Sequence, residues 1–128
     1  MAQYMLLLHR DRNRVPNLSG EEMKEVIRRY TAWGDALRQK GKLISSEKLA
    51  PGRGWTVRLQ DGQPLVIDGP YAETKDVIGG YYLIEAENDA EAQAIAKDSP
   101  HLWSTNWVEV RPVDRMVVAE ARRQSTTA

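Results

Sequence analysis

Two capping-box patterns indicate where helices begin in this chain. In "SGEEMKEVIRRYTAWGDALRQKG", Ser19 and Glu22 have the spacing at which the hydroxyl accepts the Glu22 amide hydrogen while Glu22 reaches back. Asn88 and Glu91 repeat that spacing in "NDAEAQAIAKDS", and Pro100 cannot continue the helix. Each segment lies between strand-like runs, so the chain is expected to contain two β-α-β units.

Several short runs have the composition of β-strands. The first extends from Gln3 to His9 and is predicted to be buried. Asp61 and Gly62 tolerate positive φ, so they are expected to close a tight hairpin between "GWTVRLQ" and "QPLVID". The remaining predicted strands are "KLISSEKLA", "GGYYLIEAE" and the alternating "WVEVRPV". The order β-α-β-(β-β)-β-α-β predicts an α+β fold, ferredoxin-like and split βαβ, with an added β-hairpin.

The first helix carries an apolar stripe that should face the sheet. Its residues recur at steps of three and four: Met23, Val26, Ile27, Tyr30, Trp33 and Leu37. Two helices cover only one face of such a sheet. The second face carries Trp107, Glu109 and Arg111, together with either Tyr4, Leu6 and Leu8 or Met5, Leu7 and His9. An amphipathic face of this kind requires cover, which predicts a homodimer with paired sheets and a cavity between them.

Composition limits the possible functions. The 128 residues fit one domain, and the absence of cysteine excludes disulfides, thiolate metal sites and a Cys nucleophile. Lys and Arg balance Asp and Glu at 18 each, so no basic field favours nucleic acid as a partner. The first apolar run is too short for a signal peptide or a membrane span, so no membrane partner and a cytoplasmic location are expected.

One long segment resembles a known family. "VIDGPYAETKDVIGGYYLIEA", together with "VEVRPV", is similar to the DGPF branch of the YCII-related proteins, with Tyr71 where that branch usually has Phe. The resemblance extends from about Tyr4 to Val113. It implies a dimeric α+β barrel. The expected domain covers residues 1–113, and the tail over 114–128 is expected to hold a short helix of one or two turns. The family has no generally established reaction.

The resemblance also suggests acid/base residues. The wider family pairs a His on the first helix with an Asp near the end of the second, and Asp98 in "KDSPH" matches that Asp. No His stands on the first helix here. Counting back from Gly41 leads to Tyr30, an alternative proton donor. His101, after Pro100, is expected on a surface loop.

The segment "DGPYAETKDVIGG" has two interpretations. Asp68 either forms a turn with Gly69 and the following Pro, or lines the cavity as a base or ligand anchor. Glu73 and Lys75 either form a solvated ion pair, or Lys75 binds an anionic substrate while Glu73 takes a proton. Tyr71 is a further candidate contact for the ligand.

The hypothesis from the sequence is a protein that binds a small organic molecule, with anions favoured, and performs cofactor-free acid/base chemistry. The candidate catalytic residues are Asp68, Glu73, Lys75, His9 and Asp98, and the candidate ligand contacts are Tyr71, Tyr30, Arg111 and Trp107. The orientation of His9 stays open, because a strand-end His can also face the surface. Two distant histidines make a weak metal signal, so no metal and no cofactor are expected. The alternative is a non-catalytic binding or interaction module, for example one accessory to transcription or metabolism.

Overall fold

A computed structural model describes residues 1–14, 17–69 and 76–126. The elements are β1 (Ala2–Asp11), α1 (Gly20–Gln39), β2 (Leu43–Lys48), β3 (Trp55–Gln60), β4 (Gln63–Asp68), β5 (Asp76–Ala86), α2 (Asp89–Lys97), β6 (Trp107–Pro112) and α3 (Arg115–Thr126). The order of β1 to β6 with α1 and α2 is the predicted one. The α+β class is confirmed, and α3 in the tail is about three turns long.

The strands form one four-stranded antiparallel sheet and a separate hairpin. The sheet order is β2-β5-β1-β6, and the hairpin consists of β3 and β4. Asp61 and Gly62 both have positive φ, 52° and 78°, as the predicted tight turn between β3 and β4 requires. The sheet therefore places β1 between β5 and β6.

The predicted caps determine both helix starts. The Ser19 hydroxyl accepts from the Glu22 amide at 3.1 Å, and the Glu22 carboxylate accepts from the Ser19 amide at 3.2 Å. The Asn88 side chain accepts from the Glu91 amide at 2.9 Å. Gly41, with φ of 70°, follows the end of α1.

The core lies between the two helices and one face of the sheet. Trp33 of α1 packs against Tyr82 of β5, with ring centroids 4.6 Å apart. Small residues on α2 allow that helix to approach the sheet closely. The buried core residues are Tyr4, Leu6, Trp33, Leu37, Ile84, Ala86, Ala92 and Ala96.

The predicted stripe of α1 is only partly buried. Met23 and Ile27, which were expected to face the sheet, are 45% and 57% exposed. The buried residues of α1 are Trp33, Gly34 and Leu37, all in its second half. Because only that half packs closely on the core, the prediction was wrong for the first turns.

The hairpin exposes an apolar surface. Cross-strand partners share a face, so Val57 lies opposite Val66 and Leu59 opposite Pro64 on one face. Val57, Leu59 and Val66 are 62%, 76% and 61% exposed. Within the described ranges, no element packs extensively on β3 or β4 apart from the other strand of the hairpin. An isolated two-stranded hairpin is marginally stable in water.

Candidate functional site

The face of the sheet that α1 and α2 leave open carries a cluster of polar and aromatic side chains. Tyr4, Leu6 and Leu8 of β1 point into the core, which directs Met5, Leu7 and His9 to the open face. The opposite residues on β6 are, in order, Arg111, Glu109 and Trp107. The structure thus selects one of the two orientations that the sequence left open for His9.

His9, Glu109 and Arg111 form a connected chain. The Nε2 atom of His9 lies 2.9 Å from Glu109 Oε1, and Arg111 Nη1 donates to Glu109 Oε2 at 3.3 Å. Because a carboxylate only accepts, the hydrogen of the His9–Glu109 bond is assigned to Nε2. The Nδ1 atom of His9 is shielded from solvent and has no hydrogen-bond partner among the described residues.

Trp107 completes this cluster on one side. Its ring stacks on the His9 imidazole, with centroids 3.9 Å apart and planes inclined by 6°. Its Nε1 donates to Asp76 Oδ1 at 3.3 Å. Asp76 is the first residue of β5, so the chain that follows the hairpin enters the sheet beside His9 and Trp107.

Electrostatics keep Glu109 ionised. The hydrogen bond from His9 lowers the pKa of the Glu109 carboxyl, and the bond from Arg111 lowers it further, against the opposing effect of partial desolvation. Its side chain is 33% exposed, while that of Arg111 is 67% exposed. The site therefore presents a fixed carboxylate and an accessible cation beside an aromatic ring.

A second polar cluster lies on the helix side of the sheet. His101 is 5% exposed, so the prediction of a surface position was wrong. Its Nδ1 lies 2.6 Å from the Tyr30 hydroxyl oxygen, and its Nε2 lies 2.7 Å from the His9 carbonyl oxygen. Burial raises the pKa of Tyr30 and lowers the pKa of His101. Tyr30 is thus hydrogen-bonded to a buried histidine, His101, and not to a surface residue.

The other candidate residues do not meet at these clusters. Asp68 is exposed at the end of β4, and Asp98 is exposed at the C-cap of α2. Tyr71, Glu73 and Lys75 lie outside the described residues. Glu109 is a site residue outside the candidates drawn from the sequence. Its alternation with Trp107 and Arg111 is the signal that points to it.

Two hollows lie elsewhere on the chain. One of about 490 Å³ is lined by residues 1–3 and 113–115. Another of about 400 Å³ lies between the first half of α1 and Trp103. Neither hollow includes His9, Glu109 or Trp107, so the cluster on the open face lies outside both of them.

Two further properties concern the described part of the chain. It contains no group of three or more His, Asp or Glu side chains arranged to hold a metal ion. It also contains no helix that is long and apolar enough to cross a bilayer.

Comparison with known proteins identifies the family. The YCII-related domain matches residues 2–117, so this chain belongs to the YCII-related family. It is also 35% identical over 112 residues to a protein of Rhizobium meliloti (strain 1021) that is described as uncharacterized; the match covers 86% of this chain and 90% of that protein. The resemblance to YCII-related proteins that the sequence indicated is confirmed.

Proposed function

We propose that the protein is a homodimer in which the open faces of two sheets meet, and that a small organic molecule, preferentially an anion, binds in the cleft between them. Two surfaces support the dimer. The open face presents the partly buried apolar side chains of Met5, Leu7, Tyr81 and Leu83, and the hairpin exposes its own apolar face. A second copy of the chain covers both kinds of surface at once.

The observation that carries the ligand proposal is the His9–Glu109–Arg111 chain stacked on Trp107. The Arg111 guanidinium recognises a carboxylate or an enolate, since its donors match two oxygens. The Trp107 ring packs on an apolar or aromatic part of the ligand. An ion pair between Arg111 and an anion contributes little binding free energy at an open surface. The cleft strengthens this ion pair because it excludes water.

The chemistry proposed for this site is cofactor-free proton transfer. Glu109 takes the proton next to a carbonyl, as a weak base because its hydrogen bonds lower its pKa, while Arg111 stabilises the developing oxyanion. His9 orients the carboxylate. Glu73 and Lys75, in the segment that precedes Asp76, are the additional acid/base and cation candidates.

A non-catalytic binding module is the competing proposal. One observation favours it: Nδ1 of His9 is enclosed, so the ring cannot accept a ligand proton there in this arrangement. Solvent exchange distinguishes the two proposals. An enzyme replaces the hydrogen next to the ligand carbonyl with deuterium in D2O, which NMR detects, and Glu109→Gln abolishes this exchange while binding persists. Binding without any exchange supports the module instead.

The dimer is tested by light scattering after gel filtration. Leu59→Asp introduces a charge on the apolar face of the hairpin and should convert a dimer into a monomer with an unchanged circular dichroism spectrum. Gln60→Asp, on the opposite face of the same strand, is the matched control and should stay dimeric. A wild-type protein that is monomeric at micromolar concentration contradicts the proposal.

The ligand is tested by thermal shift with a panel of small carboxylic acids and phenols. A ligand at 100 times its Kd stabilises the folded form by about 2.7 kcal/mol. Acids that raise the Tm of the wild type should fail to do so with Arg111→Met. The proposal is wrong if they stabilise Arg111→Met and wild type equally.

A further inference from the structure

The sheet is irregular at His9. The register between β1 and β5 pairs Leu8 with Gly80 and His9 with Ile78, so Gly79 is an extra residue opposite this step. The pairing of β1 with β6 continues without a break, with His9 opposite Trp107. A bulge of this kind disrupts the ladder locally and redirects a side chain. The extra residue belongs to β5, and His9, which contacts Glu109, is the β1 residue at this irregular step.

His101 binds the backbone at this bulge from the other side of the sheet. Its Nε2 lies 2.7 Å from the His9 carbonyl oxygen, which can only accept, so Nε2 carries the hydrogen. The Nδ1 atom of the neutral ring then accepts from the Tyr30 hydroxyl at 2.6 Å. The His101 amide donates to Ser99 Oγ at 3.1 Å. The two ring contacts hold this imidazole in one orientation, and the bond to Ser99 holds its backbone amide.

We infer that His101 is a positioning residue for the site on the opposite face: its Nε2–H holds the His9 carbonyl at the bulge and thereby keeps the His9 ring stacked on Trp107 and donating to Glu109. The His9 carbonyl determines that Nε2 of His101 carries the hydrogen, and the Tyr30 hydroxyl then donates to Nδ1. The value of this arrangement for a ligand rests on the function proposed above, but the arrangement itself does not depend on a ligand.

His101 connects the Tyr30–His101 cluster with the His9–Glu109 cluster, which have no side chain in common. His9 contributes its carbonyl to one cluster and its imidazole to the other. A regular ladder with β6 holds β1 on one side, while the pairing with β5 is irregular at His9. A rotation of the His9 peptide therefore moves the imidazole relative to Glu109. Removing the His101 donor should permit that rotation.

The test is NMR on the ligand-free protein. In His101→Phe, the contacts between the His9 and Trp107 ring protons should weaken or vanish, and the titration midpoint of the Glu109 carboxyl should move up toward its ordinary value, because the His9 hydrogen bond is the main cause of its lowered pKa. His101→Gln, whose side-chain amide can still donate to the His9 carbonyl, should retain the ring contacts and the lowered titration midpoint of Glu109. Tyr30→Phe should give a smaller change in the same direction.

Tyr4→Phe is the control for a merely structural effect. It removes the hydrogen bond that the Tyr4 hydroxyl donates to Asp89 at 2.6 Å, on the same strand but without contact to His9. It should lower the Tm and leave the Glu109 titration unchanged. If His101→Phe also lowers the Tm and leaves Glu109 and the ring contacts unchanged, His101 is structural only and the inference is wrong. If the His101→Phe chain does not fold, Tyr30→Phe decides the question: a Glu109 titration that moves up supports the inference, and an unchanged one refutes it.

These readouts separate the two proposals. A protein that binds none of the tested acids, and in which His101→Phe still moves the Glu109 titration, refutes the ligand and supports the positioning. A protein that binds acids through Arg111 and shows no response of Glu109 to His101→Phe supports the ligand and refutes the positioning.

Discussion

Replacing Gly80 with Ala is expected to destabilise the protein by about 1–2 kcal/mol. A Cβ at this position would lie 2.7 Å from the Glu47 carbonyl oxygen and 3.5 Å from Lys48 Cα. Carbon and carbonyl oxygen in contact normally stay about 3.3 Å apart or more, so β2 must move away from β5 by about half an ångström. Overpacking of this kind costs about 1–3 kcal/mol. The smaller conformational freedom of alanine in the unfolded chain offsets about 0.4–1 kcal/mol of that.

Gly79→Ala provides a matched control at the neighbouring position. The added Cβ would contact the Arg10 side chain at 3.6 Å and the Leu8 carbonyl oxygen at 3.9 Å, which are ordinary contacts. Its effect should stay within about 0.5 kcal/mol. Urea denaturation followed by far-UV circular dichroism, at one protein concentration, should give a lower midpoint for Gly80→Ala alone, with an unchanged m-value. Equal midpoints for the two variants would refute the reasoning, because β2 would then yield without penalty.

Three further outcomes are expected from the same denaturation assay. Gly34→Ala should stabilise the protein by about 0.5–1 kcal/mol, because the new methyl group meets Tyr82 at an ordinary 3.7 Å and a glycine leaves the helix interior; a loss of stability contradicts this. Leu6→Ala should cost about 3–5 kcal/mol, since Leu6 and Ile84 are fully buried and the site cannot collapse easily; a loss below about 2 kcal/mol contradicts it. Because burial lowers the pKa of His101, the unfolded chain binds more protons than the folded one below about pH 6.5. The free energy of unfolding should therefore fall as the pH drops from that value, and this dependence should weaken in His101→Phe. An equal pH dependence in both proteins contradicts it.

Much of the fold could be predicted from local patterns. The capping pattern at Ser19 and Glu22 forms both of its hydrogen bonds, and Asp61 and Gly62 adopt the φ values that their turn requires. These features depend on contacts within a few residues, so the sequence contains the information. The exposure of Ile27 could not be predicted from such contacts, because it depends on how far the first helix extends along the core.

The candidate site was predictable only in part. Alternation placed Trp107, Glu109 and Arg111 on one face, but alternation cannot decide which face of β1 lies beside them, since every strand has two. The pairing of β1 with β6 decides which face of β1 lies beside these residues. The burial of His101 had no local signal: a residue after Pro100 is typical of a loop, and its partners Tyr30 and His9 lie 71 and 92 positions away in the chain.

The irregular pairing of β1 with β5 lies beside a buried contact to the same residue, His9. The His9 carbonyl oxygen lies 2.7 Å from Nε2 of the buried His101 imidazole. Burial lowers the pKa of His101, because this environment penalises its charged form. Departures from regular pairing that need such compensation are typical of places where the direction of one side chain matters. The residue at this irregular step is His9, whose imidazole contacts Glu109, the carboxylate that we propose as the proton acceptor.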